Sequence, residues 1–147
     1  MLTIVRYLHV VSMAAWLGAA LWLAGDARRS LAAGPDASRA FLNRAMAALR
    51  VDRVAGLATL LTGASLIYLT RIWPAMPLPL MVGMTLGACR AGLTEGLLFP
   101  AVRRLGARLE TGEAPAALLP VAGRLAMLSG IGHLIWLGAL AGMILST

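Results

Sequence analysis

Four long apolar runs alternate along this chain with short segments rich in arginine, glycine and proline. The first run, Thr3 to Ala24, is long enough to cross a bilayer core, which takes ~20 residues. It is too long for a signal-peptide core and reads as a retained span. Further spans are expected at about 54–70, 79–99 and 120–145. Residues 25–53 are polar and arginine-rich, yet Phe41, Leu42, Ala45, Met46 and Leu49 recur there at helical spacing, with Arg39 and Arg50 on the opposite side. That pattern predicts either a short interfacial helix lying on an anionic leaflet or an extension of the second span. Gly34-Pro35-Asp36 predicts the turn before it, with Asp36 or Ser38 as the helix cap. Prolines at 74, 77 and 79 forbid a continuous helix between the second and third spans. Pro100 predicts the end of the third span, residues 102–119 a basic loop, and Pro120 the first turn of the last span. The expected fold is all-α: an integral membrane four-helix up-and-down bundle forming a single transmembrane domain over residues 1–147.

Composition narrows the class further. Hydrophobic residues make up 60% of the chain and charged residues 13%, against roughly 45–50% and about 25% in soluble domains. Disordered segments, nucleic-acid-binding modules and ordinary soluble enzymes are excluded. The net charge of +7 comes from 13 basic residues, every one an arginine, which reads as a composition bias of the source genome. Ten arginines, six from Arg28 to Arg53 and four from Arg103 to Arg124, flank the first and third connections. Arg6 and Arg71 flank the other side, and Arg90 lies inside a span. The positive-inside rule puts both basic connections in the cytoplasm and both termini outside it. Tyr7, Tyr68 and Trp73 are then expected at the outer interface and Trp22 at the inner one. Small residues recur every four positions at Gly83, Gly87 and Ala91, and at Gly138 and Gly142, a spacing that lets helix backbones approach closely in lipid.

Four ionisable residues fall within spans: His9, Arg90, Glu95 and His133. An unpaired charge there costs at least ~2 kcal/mol, so each is expected to face the bundle interior or water. Met13 and Trp16 share a helix face with His9, and Ser129 and Trp136 share one with His133. Both histidine segments carry the string Trp-Leu-Gly-Ala. Two histidines on different helices can ligate one metal or both axial positions of a haem iron. Alternatively, each hydrogen-bonds a neighbouring backbone or serine. Their estimated depths below the outer surface, roughly 9 Å for His9 and 18 Å for His133, do not favour a shared ligand. Arg90 and Glu95 point about 140° apart on one helix, so Arg90 is expected to find a partner on another helix or an anionic ligand such as a haem propionate, or else to pair with Glu95 through water. Glu95 is expected to take a proton or to meet Arg103 and Arg104. Met81 and Met84, near Met76, suggest copper(I) as an alternative. The single cysteine, Cys89, excludes an intrachain disulfide and reads as packing. No Gly-x-Ser-x-Gly, P-loop or dinucleotide fingerprint is present.

Tyr7 to Gly18, with histidine at 9, tryptophan at 16 and small residues after it, resembles the opening helix of a group of small bacterial membrane proteins. The group includes the four-helix protoporphyrinogen IX oxidases and the membrane domain of copper-resistance protein D. Asn43-Arg44 and Leu61-Thr62-Gly63 resemble the oxidases' second helix and its approach. The resemblance implies residence in the bacterial inner membrane and a bundle binding b-type haem or a porphyrin, with His9 as the matching ligand. It also implies a redox or tetrapyrrole-oxidising role that passes electrons to a membrane acceptor. The chain departs from the oxidases at Arg90, where they carry a lysine, and at Gly123 to Met127, where they carry an Asn-Glu-x-Pro element. Lysine and arginine are not interchangeable at a site, so the resemblance extends to the wider group rather than to the activity. Cofactor-binding residues on this reading are His9, His133, Arg90, Trp16 and Trp136, with Glu95 nearby. The alternatives are a copper-handling or transport protein using Met81 and Met84, and a cofactor-free accessory subunit that packs on a partner or on its own copies.

Overall fold

A computed structural model describes residues Met1–Ser146, and the elements among them are all helical. The helices are α1 (Leu2–Ala19), α2 (Leu23–Ala33), α3 (Pro35–Thr70), α4 (Leu78–Leu93), α5 (Phe99–Glu110) and α6 (Leu119–Ile144). They form a bundle of four rods: α1 with α2 after a short break, α3, α4 with α5, and α6. α1 packs along α3, and α4 packs along α6. Three helical stretches, Leu2–Ala33, Pro35–Thr70 and Pro115–Ile144, are long and apolar enough to cross a membrane. The expected all-α four-helix architecture is the one found, and the chain is a membrane protein by these spans.

One expected alternative is settled and one boundary is corrected. Residues 35–70 form one uninterrupted helix of 36 residues, so the segment is the extension of the second span rather than a separate interfacial helix. Such a helix is about 54 Å long, well beyond a ~30 Å hydrocarbon core, so α3 extends the bundle at its arginine-rich end. Residues 102–110 are helix rather than loop, because the chain passes Pro100 without stopping. It does so through a π turn, Thr94–Leu98, in which the Phe99 N–H donates to Thr94 O. A proline ring clashes with the carbonyl four residues back and supplies no N–H; the wider turn just before it relieves both conflicts.

The stripe seen in the arginine-rich segment explains why these residues are helical. Phe41, Ala45 and Leu49 are fully buried with Leu23, Leu31, Leu98, Val102 and Leu105 in a core at that end. A smaller core of Met13, Trp16, Ala55 and Trp136 lies deeper among the spans. The turn at Gly34 is as expected, with φ of 109° that glycine tolerates, and Pro35 opens α3. Neither proposed cap works as one: Ser38 is buried and donates to Gly34 O (2.8 Å) and Ser30 O (3.2 Å), while Asp36 is exposed and pairs with Arg39. At the end of α5, Arg108 grips Glu113 through Nε and Nη2, and that hydrogen bonding raises the guanidinium above its usual range.

The small-residue spacing does bring α4 and α6 together. A Cβ on Gly142 would lie 2.5 Å from Pro79 O, and one on Gly83 would lie 2.9 Å from Ala139 O. Replacing Gly142 with valine forces the backbones apart and should cost about 1–3 kcal/mol, read as a lower melting temperature in detergent. Gly130→Ala, where nothing lies within 4 Å of the new Cβ, should leave the melting temperature unchanged or raise it slightly.

Candidate functional site

Two adjoining zones hold the polar chemistry of the spans. The first is a buried ion cluster. Asp52 on α3 and Arg90 on α4 are each only 1% exposed. Arg90 Nη2 donates to Asp52 Oδ1 at 2.7 Å, and Nη1 donates to Oδ2 at 3.2 Å. Thr94 Oγ1 accepts from Arg90 Nη1 at 2.7 Å and donates to Asp52 Oδ2 at 3.0 Å. Trp16 Nε1 on α1 donates to the same oxygen at 3.3 Å, and its ring lies under the guanidinium at 5.2 Å. Asp52 thus accepts four hydrogen bonds from three residues on two other helical rods. Gly56 makes room for Trp16, since a Cβ there would lie 2.8 Å from the indole. Gly132 on α6 faces the Arg90 stem, whose Nε has no hydrogen-bond partner among the described residues.

The partner expected for Arg90 is therefore corrected in part: it is a residue on another helix, but it is Asp52, not Glu95 or a ligand. Glu95 instead forms a two-pronged pair with Arg53, at 2.6 Å for both bonds, and does not meet Arg103 or Arg104. The Arg53 guanidinium also lies 4.6 Å above the Phe99 ring.

The second zone is a cavity of about 400 Å3 between α1, α3, α4 and α6. Its lining includes His9, Met13, Trp16, Met84, Trp136 and Met143. His9 is held by Thr62, with Nδ1 and Oγ1 2.9 Å apart. The Thr62 hydroxyl spends its own hydrogen on Ala58 O at 2.6 Å, so the ring nitrogen is the donor and His9 Nε2 keeps its lone pair. Gly63 permits this placement, because a Cβ would stand 3.2 Å from His9 Cε1.

The predicted residues fall into three groups. His9, Trp16, Trp136 and Met84 meet around the cavity, and Arg90 joins it only through Trp16. His133 lies outside the lining: its Nδ1 donates to Ser129 O at 2.7 Å, and its buried Nε2 has no partner among the described residues. Ser129 Oγ donates to Ala20 O, which aligns α6 with α1. From that level His133 lies roughly 6 Å and His9 roughly 16 Å away from the arginine-rich end, so the two rings occupy different depths. Met81, 49% exposed, is absent from the cavity lining to which Met84 belongs. Among the described residues, no group of three or more His, Cys, Asp and Glu side chains is placed to hold a metal ion. Asp52 and Thr94 are not singled out by sequence, and Thr62 enters there only within the Leu61-Thr62-Gly63 resemblance. Asp52 does lie on the continuation of the buried stripe Phe41, Ala45, Leu49, and that spacing is the signal that could have found it.

No protein-family model, curated protein or solved structure matches the chain. Its class rests on its own geometry: a helical membrane bundle with a buried aspartate–arginine pair beside an apolar, histidine-bearing cavity.

Removing one partner of a buried pair leaves the other charge unpaired, at a cost of about 3–5 kcal/mol, whereas replacing both with apolar residues is often close to neutral. Asp52→Leu and Arg90→Met should each lower the melting temperature sharply in detergent. The double substitution should recover most of the loss. Equal, additive losses in the double variant would show that the two residues do not act as a pair.

Proposed function

We propose that this chain is an integral membrane protein that binds b-type haem or a porphyrin in the His9 cavity and serves a redox or tetrapyrrole-oxidising role. The observation that carries this reading is His9, which lines an apolar cavity with two tryptophans and three methionines while Thr62 occupies its Nδ1 and leaves the Nε2 lone pair unused. Neutral imidazole is a standard haem ligand, and its orientation is set by the hydrogen bond at the other nitrogen. Met13, Met84 or Met143 would offer a thioether as a second ligand to the group, a pairing with histidine that haem proteins use. Trp16 and Trp136 wall the cavity, while Thr70 and Ser146 stand among its lining at the end away from the arginine-rich connections, where the polar edge of an amphiphilic ring is best solvated. Bound haem would supply one-electron chemistry. The protein holds the ring, excludes water from it and passes electrons to an acceptor in the membrane. The arginine distribution supports placement in a bacterial inner membrane with both termini outside the cytoplasm.

Copper handling is the second reading. The soft thioethers beside His9 favour it, with Met84 rather than Met81 placed to contribute.

Protein purified without chelators from haem-replete cells should show a Soret band. His9→Ala should abolish the band, and His133→Ala should retain it because His133 does not line the cavity. Colourless protein that takes up no added haem would sink the haem reading, and stoichiometric copper in that same protein would establish the second. Loss of the band in His133→Ala alone would move the ligand to the last span.

A further inference from the structure

On the outer face of the bundle, α1 and α3 enclose a separate open groove of about 560 Å3. The small side chains of Ala15 and Ala58 make room for it, and exposed Val11 and Val54 flank it. Its hydroxyls are already used: Ser12 donates to His9 O at 2.9 Å and Thr62 to Ala58 O at 2.6 Å. The one charged residue in the lining is Arg50. α3 carries four arginines, and three are paired: Arg39 with Asp36, Arg44 with Asp26 and Arg53 with Glu95. Arg50 is exposed and in no ion pair among the described residues. From Arg50 to Thr62 the groove follows α3 for about 18 Å, slightly more than the ~15 Å depth of one hydrocarbon leaflet.

An occupant must therefore be apolar along its length and anionic at one end, at the arginine-rich side of the bundle. We propose that the groove binds one anionic phospholipid, with an acyl chain between α1 and α3 and its phosphate at Arg50. A second copy of the chain lacks the complementary charge. Of its six acidic residues, Asp26, Asp36, Asp52, Glu95 and Glu113 are already paired, and the remaining one, Glu110, ends α5. The groove shares no lining residue with the His9 cavity, and the proposal does not depend on what that cavity holds.

Native mass spectrometry tests it. Protein in mild detergent is incubated with equal amounts of phosphatidylglycerol and phosphatidylcholine carrying identical chains. Wild type should retain one phosphatidylglycerol in preference to phosphatidylcholine. Arg50→Gln should weaken that preference about fivefold, the effect expected of one guanidinium at an anionic headgroup. Ala15→Phe, which places a ring in the groove from an exposed position, should reduce retention of both lipids. No preference in wild type, or unchanged retention in either variant, overturns the proposal. So does a retained mass that belongs to a free fatty acid, or a dimer that forms as lipid is lost.

Discussion

The buried pair of Asp52 and Arg90 is the constraint around which the bundle is organised. Neither charge tolerates isolation from water, and each is covered almost completely. Desolvating two ions costs several kcal/mol each, and their attraction repays that only when the remaining polar atoms are also satisfied. Thr94 and Trp16 complete the carboxylate, so three helices must stand in one register for the cluster to close. The cluster lies at the junction of the two cores, with Leu49 and Leu98 toward the arginine-rich end and Trp136 toward the other. A slip of α3 against α4 would break the three bonds from Arg90 and Thr94 to Asp52 together.

Trp16 gives that pair a reach beyond stability. One edge of its indole completes Asp52, and its body lines the cavity that holds His9. Any group bound in the cavity rests against a side chain whose position is set by the ion pair. The glycines complete this arrangement, because Gly56 admits the indole and Gly63 admits the imidazole against α3. The indole and imidazole walls of the cavity are thus set by close backbone contacts, while the methionines that complete its lining are adaptable.

Much of the architecture is legible in hydropathy alone. The apolar runs, the three prolines after Arg71 and the turn at Gly34 locate the rods, and the four-residue spacing of glycines locates the α4–α6 contact. Arg90 also stands out as a charge in an apolar run that must be paired. Its partner does not, because Asp52 sits between Arg50 and Arg53 in a segment that reads as surface. Local composition describes the neighbours along the chain, whereas burial depends on the helix face, and Asp52 shares its face with Leu49 rather than with the arginines. The separation of His133 from His9 was partly visible as a difference in depth. The hydrogen bond that frees His9 Nε2 depends on a threonine 53 residues away, and no local pattern announces it.

The π turn has its own consequence for the third rod. Its buried positions run Arg90, Thr94, Leu98 and Val102, three successive steps of four residues. In a regular α-helix each such step overshoots a full turn by about 40°, so the stripe would wind about 120° around the rod. The wide turn absorbs that drift with close to one surplus residue. The ion cluster and the arginine-rich core are thus kept in phase by a single helical insertion. The chain length between Arg90 and Val102 is as strictly specified as the identity of either residue.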